Sequence, residues 1–317
     1  MLKDLYVMKI DAKQELDNII SEEDIKRFLD LIFIPEGINI NLMLEGDRYF
    51  FTGAKGAGKT TLLIFTALKA EEIFDAERSF LIFKEISREE REDYKKMAHL
   101  TEYDKNEFGN DYDYESVWKW VIYDNIAQTV KTSPKTIFEN DENLYLFLEA
   151  VESIKTNPGK SKRRIPKITD GFVELSINSP IKTATIKTRI NFEFRDKDER
   201  HIRLSTLVNE LDRLFMNLKD GGNQLYVIVD EMNLSFANSK EYERDVMMIR
   251  DLIITIENIN LLSKQSHGNV RIIGSIRNEV INSIASKGKE INKIIESYGI
   301  PIDWTIYTDE KKRSSIN

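Results

Sequence analysis

Along the chain, short continuous apolar runs alternate with longer stretches whose apolar residues return every three or four positions. The runs at 48–52, 79–83, 225–229 and 270–277 are rich in aromatic and β-branched residues. They predict core strands, and the unbroken run at 225–229 predicts a central one buried on both faces, as in a parallel sheet covered by helices. Helical spacing recurs in Leu62 to Ala70, in Val246, Ile249, Ile253 and Ile256, and in Leu204, Leu207, Val208, Leu211, Leu214, Phe215 and Leu218. Ser21 followed by Glu22, Glu23 and Asp24 reads as a capped helix start, with Ile25, Phe28, Leu29 and Ile32 on one face. Pro35 and Gly37 are expected to close this helical lead-in, which spans residues 1–37. Gly221 and Gly222 are expected to end the 204–218 helix. The pattern is that of an α/β fold with a mostly parallel central sheet, over residues 38–317.

The interval between the runs at 79–83 and 225–229 is longer than one crossover requires, so residues 87–203 are expected to hold an α+β insertion. Its stretch from Glu102 to Glu115 carries six acids among Tyr103, Phe108, Tyr112 and Tyr114, and Trp118 and Trp120 follow. Two readings stand: a partner-docking surface with aromatic anchors, or a polar loop leading into a helix whose tryptophans are core. Between Lys155 and Lys167 there are six basic residues and no acid. That loop can touch nucleic-acid phosphates or simply be solvated. Val173, Leu175 and Ile177, then Ile186, Ile190, Phe192 and Phe194, alternate with polar residues as in a two-stranded antiparallel unit. Residues 302–307 are expected to form a last short strand.

The chemistry lies at two strand ends. Residues 53–60 read Gly-Ala-Lys-Gly-Ala-Gly-Lys-Thr, a complete G-x-x-x-x-G-K-[ST] phosphate-binding loop between a predicted strand and a predicted helix. Glycines let backbone N–H groups turn inward around a polyphosphate, and the helix N-terminus adds partial positive charge. The nucleotide-binding set is Gly53, Ala54, Lys55, Gly56, Ala57, Gly58, Lys59, Thr60 and Thr61. Lys59 is expected to reach the β- and γ-phosphates, and Thr60 to ligate Mg²⁺. The apolar run at 225–229 ends in Asp230 and Glu231. Asp230 is expected to organise the metal and Glu231 to polarise the attacking water as general base. At the end of the last run, Ser275 or Arg277 would face the γ-phosphate, and Arg277 can stabilise transition-state charge. A surface helix-capping arginine is the alternative for Arg277. A carboxylate directly after Asp230, and the lack of an N-K-x-D guanine motif, favour ATP hydrolysis over GTP and over phosphoryl transfer to a metabolite.

Composition narrows the rest. The 317 residues hold no cysteine, which excludes disulfides, thiolate metal sites and a cysteine nucleophile, and suits a reducing cytosol. The three histidines, His99, His201 and His267, have no ligand-like spacing, so no metal is expected beyond nucleotide-bound Mg²⁺. A net charge of −8 argues against a protein that coats nucleic acid with its whole surface. No apolar stretch approaches the roughly 20 residues of a membrane span, and the first residues lack the apolar core of a signal peptide. A soluble, cytoplasmic protein with no membrane contact is expected.

The order of these motifs resembles the additional-strand P-loop ATPases with a catalytic glutamate. It is most similar to bacterial signal-transduction ATPases of the STAND and NACHT-like kind, including members found in antiviral defence. The loop at 50–60, the Val-Ile-Val-Asp-Glu of 227–231 and the Gly-Ser-Ile-Arg of 274–277 carry the resemblance. It implies a three-layer P-loop fold, Mg·ATP as cofactor, and a switch or motor that acts as a homo-oligomer or on a partner protein. Such proteins usually continue into a winged-helix segment and a sensing region, for which this chain is too short. It is therefore expected to be a compact member, to work with separate chains, or to be a portion of one. Asn233 stands where related proteins often carry a further acid. The rival expectations are an ATPase acting on nucleic acid through the 155–167 loop, and a nucleotide-gated oligomerisation module with little turnover. A metabolite kinase is a distant third.

Overall fold

The computed structural model describes residues 19, 21–35, 37–99, 112–156, 164–169, 172–176, 201–235, 237–285 and 291–303. In chain order, α1 (Glu22–Leu31) and the single turn α2 (Asn41–Leu44) lead into β1 (Phe50–Gly53), α3 (Lys59–Phe74) and β2 (Glu77–Ile82). Helices α4 (Arg88–Ala98), α5 (Tyr114–Thr132) and α6 (Glu142–Glu152) follow, then the short strands β3 (Ile168–Thr169), β4 (Phe172–Glu174) and β5 (His201–Arg203). Next come α7 (Leu204–Met216), β6 (Leu225–Asp230), α8 (Ser239–Gln265) and β7 (Val270–Arg277). The described part closes with α9 (Asn278–Ala285), α10 (Ile291–Tyr298) and β8 (Gly299–Ile302).

The fold is α/β. Five parallel strands, flanked by helices, form a sheet in the order β2-β6-β7-β1-β8. The chain divides into two compact units, and the first comprises Met1–Phe83, Tyr226–Asn233 and Ile272–Asn317. β1 and β6 behave as their apolar runs predict, with every residue buried, whereas the first four residues of β2 are half-buried. In register, Phe50 to Gly53 face Gly274 to Arg277 of β7 on one side and Gly299 to Ile302 of β8 on the other. The α3 helix is apolar almost all round because it is covered twice. Leu62, Leu63, Ala67 and Ala70 pack with Phe51, Tyr226, Ile228 and Ile273 of the sheet, while Ile64 and Leu68 pack with Phe28 of α1.

Helix α1 starts on the expected capping box, with Ser21 and Asp24 bonded reciprocally. It ends at Leu31, where Ile32 turns extended, so Pro35 and Gly37 lie beyond the helix rather than terminating it. The last strand is also displaced from expectation. β8 occupies Gly299–Ile302, and residues 304–307 lie outside the described residues.

The second unit comprises Lys84–Leu225 and Leu234–Arg271. Its helices α4 to α8 accompany a three-stranded sheet, β3-β4-β5, in which β4 pairs antiparallel with both neighbours. The strand expected over 186–194 lies outside the described residues, as do 100–111 of the acidic stretch and 157–163 of the basic loop. Trp118 and Trp120 are fully buried, and Trp118 Nε1 donates to the Met248 carbonyl at 2.7 Å, so the tryptophans are core. Lys155 and Lys167 both pair with Glu174, and Arg164 pairs with Asp124. Those three cations of the basic loop are thus engaged within the unit.

Gly221 and Gly222 do not end α7, which stops at Met216. Gly221 is instead pressed on the 136–138 backbone: a Cβ there would lie 2.5 Å from the Thr136 carbonyl oxygen. Close approach, not helix termination, is the reason for glycine at 221.

A buried charge cluster ties three segments of this unit. Asp245, with no exposed surface, accepts from Arg91 at 2.5 Å, from Arg244 at 3.0 Å and from the Ser235 main-chain N–H at 3.0 Å.

His267 sits edge-on to Phe138 and Phe215, with ring centroids 5.1 and 4.7 Å away. Burial pushes its pKa down to about 4, against smaller upward pulls from Asn269 and Asp220. A depressed histidine pKa means that the unfolded chain binds a proton the folded chain refuses. Stability is therefore whole above the unfolded value near 6.5 and falls as the pH drops toward 4. We expect a loss of about 2 kcal/mol between pH 7 and pH 5, largely abolished in His267→Phe. Urea denaturation of both proteins at the two pH values measures it; equal losses would exclude His267 as the source.

Candidate functional site

The site is built in the first unit, where β1, β6 and β7 end. β1 delivers Gly53, the chain turns through residues 54–58, and α3 begins at Lys59. Two glycines are dictated by geometry. A Cβ on Gly53 would come within 2.8 Å of the Ile302 carbonyl oxygen, so β8 can approach the loop only if that residue has no side chain. Gly58 takes the left-handed conformation, φ 81°, as the N-cap of α3. It has no side chain to cap the helix, and the first intrahelical bond runs from the Leu62 N–H to its carbonyl. The N–H groups of Lys59, Thr60 and Thr61 thus lack intrahelical partners and remain available to an anion.

Lys59 is 7% exposed and folds back on its own loop, donating to the Gly53 carbonyl at 3.1 Å and the Ala54 carbonyl at 2.6 Å. Its ammonium is held below the usual lysine range by burial and then by Arg277, with Glu279 and Asp230 pulling the other way. An incoming anion would add countercharge directly at this lysine, whose hydrogen bonds now go to carbonyl oxygens.

Asp230, at the end of β6, is buried at 4% exposure and accepts two hydroxyl hydrogen bonds. Thr60 Oγ1 donates to its Oδ2 at 2.7 Å, and Ser275 Oγ of β7 donates to its Oδ1. A hydroxyl that spends its one proton in this way keeps its lone pairs for a cation. Thr60 and Asp230 are therefore oxygen donors of the kind a hard divalent ion takes. Among the described residues no cluster of three or more His, Cys, Asp or Glu could hold a metal alone. Any cation held here would take its remaining oxygens from water or a bound ligand.

Glu231 follows in the left-handed region, φ 54°, a conformation that costs a non-glycine residue about 1–3 kcal/mol. Arg277, at the end of β7, has a side chain 31% exposed and 3.8 Å from Glu279. It is thus part of the site and loosely paired at the start of α9.

A cleft of about 370 Å³ is lined by residues 56–61, 230–233, Ser275 and Arg277. A second cavity of about 480 Å³ also borders this loop, lined by residues 52–57, Asn278, Pro301, Ile302 and Asp303. The cleft gathers Gly56, Ala57, Gly58, Lys59, Thr60, Thr61, Asp230, Glu231 and Arg277, whereas Gly53, Ala54 and Lys55 face the second cavity. Ser275, expected to face a phosphate, has its hydroxyl on Asp230. Asn278 and Asp303 were not foreseen. Their signal is their place just past the carboxyl ends of β7 and β8, where ligands of parallel sheets collect.

Among the described residues no helix is long and apolar enough to cross a membrane. No protein-family model matches the chain, and no curated protein matches it either.

Proposed function

We propose that the chain is a magnesium-dependent, ATP-hydrolysing P-loop protein of the additional-strand, catalytic-glutamate class, working as a molecular switch or motor. The observation that carries this reading is the hydrogen bond from Thr60 to Asp230, which joins two motifs 170 residues apart in sequence. The strand order supports it. β7 lies between β1, which carries the glycine loop, and β6, which carries the carboxylates, and a strand inserted there is what names the class.

In this reading Lys59 leaves the Gly53 and Ala54 carbonyls to meet the phosphates, joined by the free N–H groups at the start of α3. Thr60 and Asp230 hold the cation, Glu231 takes a proton from the attacking water, and Arg277 stabilises charge developing on the transferred group. Magnesium at that position supplies Lewis-acid stabilisation of the phosphoryl oxygens. The cavity beside residues 52–57 receives the nucleoside end, since Gly56 and Ala57 line both spaces. Turnover then changes the assembly state of the chain or acts on a partner protein.

The test is Mg·ATP turnover per molecule across a range of protein concentrations, with Glu231→Gln as the blank. Activity that climbs with concentration means that subunits complete each other's sites; constant activity means that one chain suffices. Lys59→Ala should bind Mg·ATP about 10- to 100-fold more weakly, the loss of charge-assisted hydrogen bonds worth about 1.5–3 kcal/mol. Normal binding and turnover by that variant would refute the site.

A further inference from the structure

Both oxygens of the Asp230 carboxylate are spoken for, and by different elements. Oδ2 accepts from Thr60 on α3, and Oδ1 accepts from Ser275 on β7. Ser275 stands at a strand position where an apolar residue would be expected. Ile272, Ile273 and Ile276 around it are fully buried, Ser275 itself is 5% exposed, and it lies in register with Phe51 of β1. A hydroxyl in such a place needs a partner, and the one it has is the carboxylate. The position matters for Asp230 because a carboxylate can turn about its terminal bond. With one donor, either oxygen can satisfy Thr60; with two donors on opposite oxygens, the plane of the group is fixed.

We infer that Ser275 is the positioning residue of the cation site: its hydroxyl locks the orientation of the Asp230 carboxylate and thereby sets the affinity for the divalent ion. The inference rests on the proposed reading of the cleft, but goes beyond it by giving Ser275 the metal carboxylate, rather than a phosphate, as its object. Ser275 touches neither phosphate nor water in this scheme and acts only through Asp230. Outer hydrogen-bond partners of metal ligands characteristically carry a 10- to 100-fold effect on metal affinity.

The experiment is equilibrium binding of a fluorescent ATP analogue, titrated with Mg²⁺, for the wild type, Ser275→Ala, Ser275→Thr and Asp230→Asn. The Mg²⁺ concentration needed for half-maximal enhancement of binding should rise about 10- to 100-fold in Ser275→Ala. Affinity for the analogue in EDTA should stay at the wild-type value. Ser275→Thr, which retains the hydroxyl, should recover most of the Mg²⁺ response, and Asp230→Asn should lose it. An unchanged Mg²⁺ requirement in Ser275→Ala overturns the inference and leaves the ATPase reading standing. Equal weakening with and without Mg²⁺ also overturns it, by marking a structural role. If wild-type protein shows no Mg²⁺-dependent binding while Asp230→Asn behaves identically, the reading of the cleft itself falls.

Discussion

Glu231→Gln is expected to lower ATP turnover by about 10²- to 10⁴-fold, the usual worth of a positioned general base. Nucleotide affinity should stay within a few-fold of wild type. Glutamine keeps the length and hydrogen-bonding shape of the side chain and loses only the ability to take a proton. Phosphate release in single-turnover mixing, beside equilibrium binding of Mg·ATP, separates the two quantities. A variant that still hydrolyses ATP within threefold of wild type would remove Glu231 from the chemistry. The backbone gives a second arm to the same test. Because Glu231 is held at φ 54°, Glu231→Asn should lose turnover equally yet melt no lower than wild type. Asparagine enters the left-handed region more readily than glutamate. That pair of results would mean that activity, not stability, selects the side chain at this strained position.

Asp245→Ala is expected to cost about 3–5 kcal/mol of folding stability, the effect of breaking a buried ion pair by removing one partner. Asp245 is fully buried, and so nearly are Arg91 at 9% and Arg244 at 3%. Without the carboxylate two guanidinium groups face each other across a desolvated space, and the Ser235 N–H loses its acceptor. Arg244 also pairs with Glu92 and Arg91 also donates to the Ile86 carbonyl, so neither arginine can simply swing into water. Urea denaturation followed by tryptophan fluorescence reports directly, since Trp118 and Trp120 are core residues of the same unit. A loss under about 1 kcal/mol would show that the cluster is solvated in solution and worth no more than a surface pair.

Much of the sheet was legible because its cause is local. The apolar runs of β1 and β6 are continuous because those strands are buried throughout, and the runs of β2 and β7, though broken by polar residues, are still short and rich in β-branched and aromatic residues. The loop at 53–60 was legible because glycine, lysine and threonine at fixed offsets each answer a separate physical need. β8 was misplaced because its sequence, Gly-Ile-Pro-Ile, carries the two residues that usually punctuate turns, whereas the next stretch carries tryptophan, isoleucine and tyrosine. Its pairing with β1 comes from the close approach that Gly53 permits, a contact 249 residues away in sequence (302 against 53) that no window contains. The same holds for Gly221 against Thr136, and for Ser275 against Asp230. Residue types showed which chemistry the site can hold; only the long-range pairing showed which hydroxyl serves which carboxylate oxygen.

Pro301 has a consequence at the rim of the sheet. Among the described residues β8 is an outer strand, with β1 as its neighbour. The Tyr49 N–H donates to the Tyr298 carbonyl, and main-chain groups alternate sides along a strand, so residues 300 and 302 face inward and Pro301 faces out. An exposed proline there presents no N–H to a passing chain, and the ring stands where a further strand would dock. Along the described residues, this proline works against edge-to-edge pairing at the rim. A copy of the chain that docked a strand along β8 would find one main-chain donor missing and a ring in its way, which disfavours growth of the sheet in that direction.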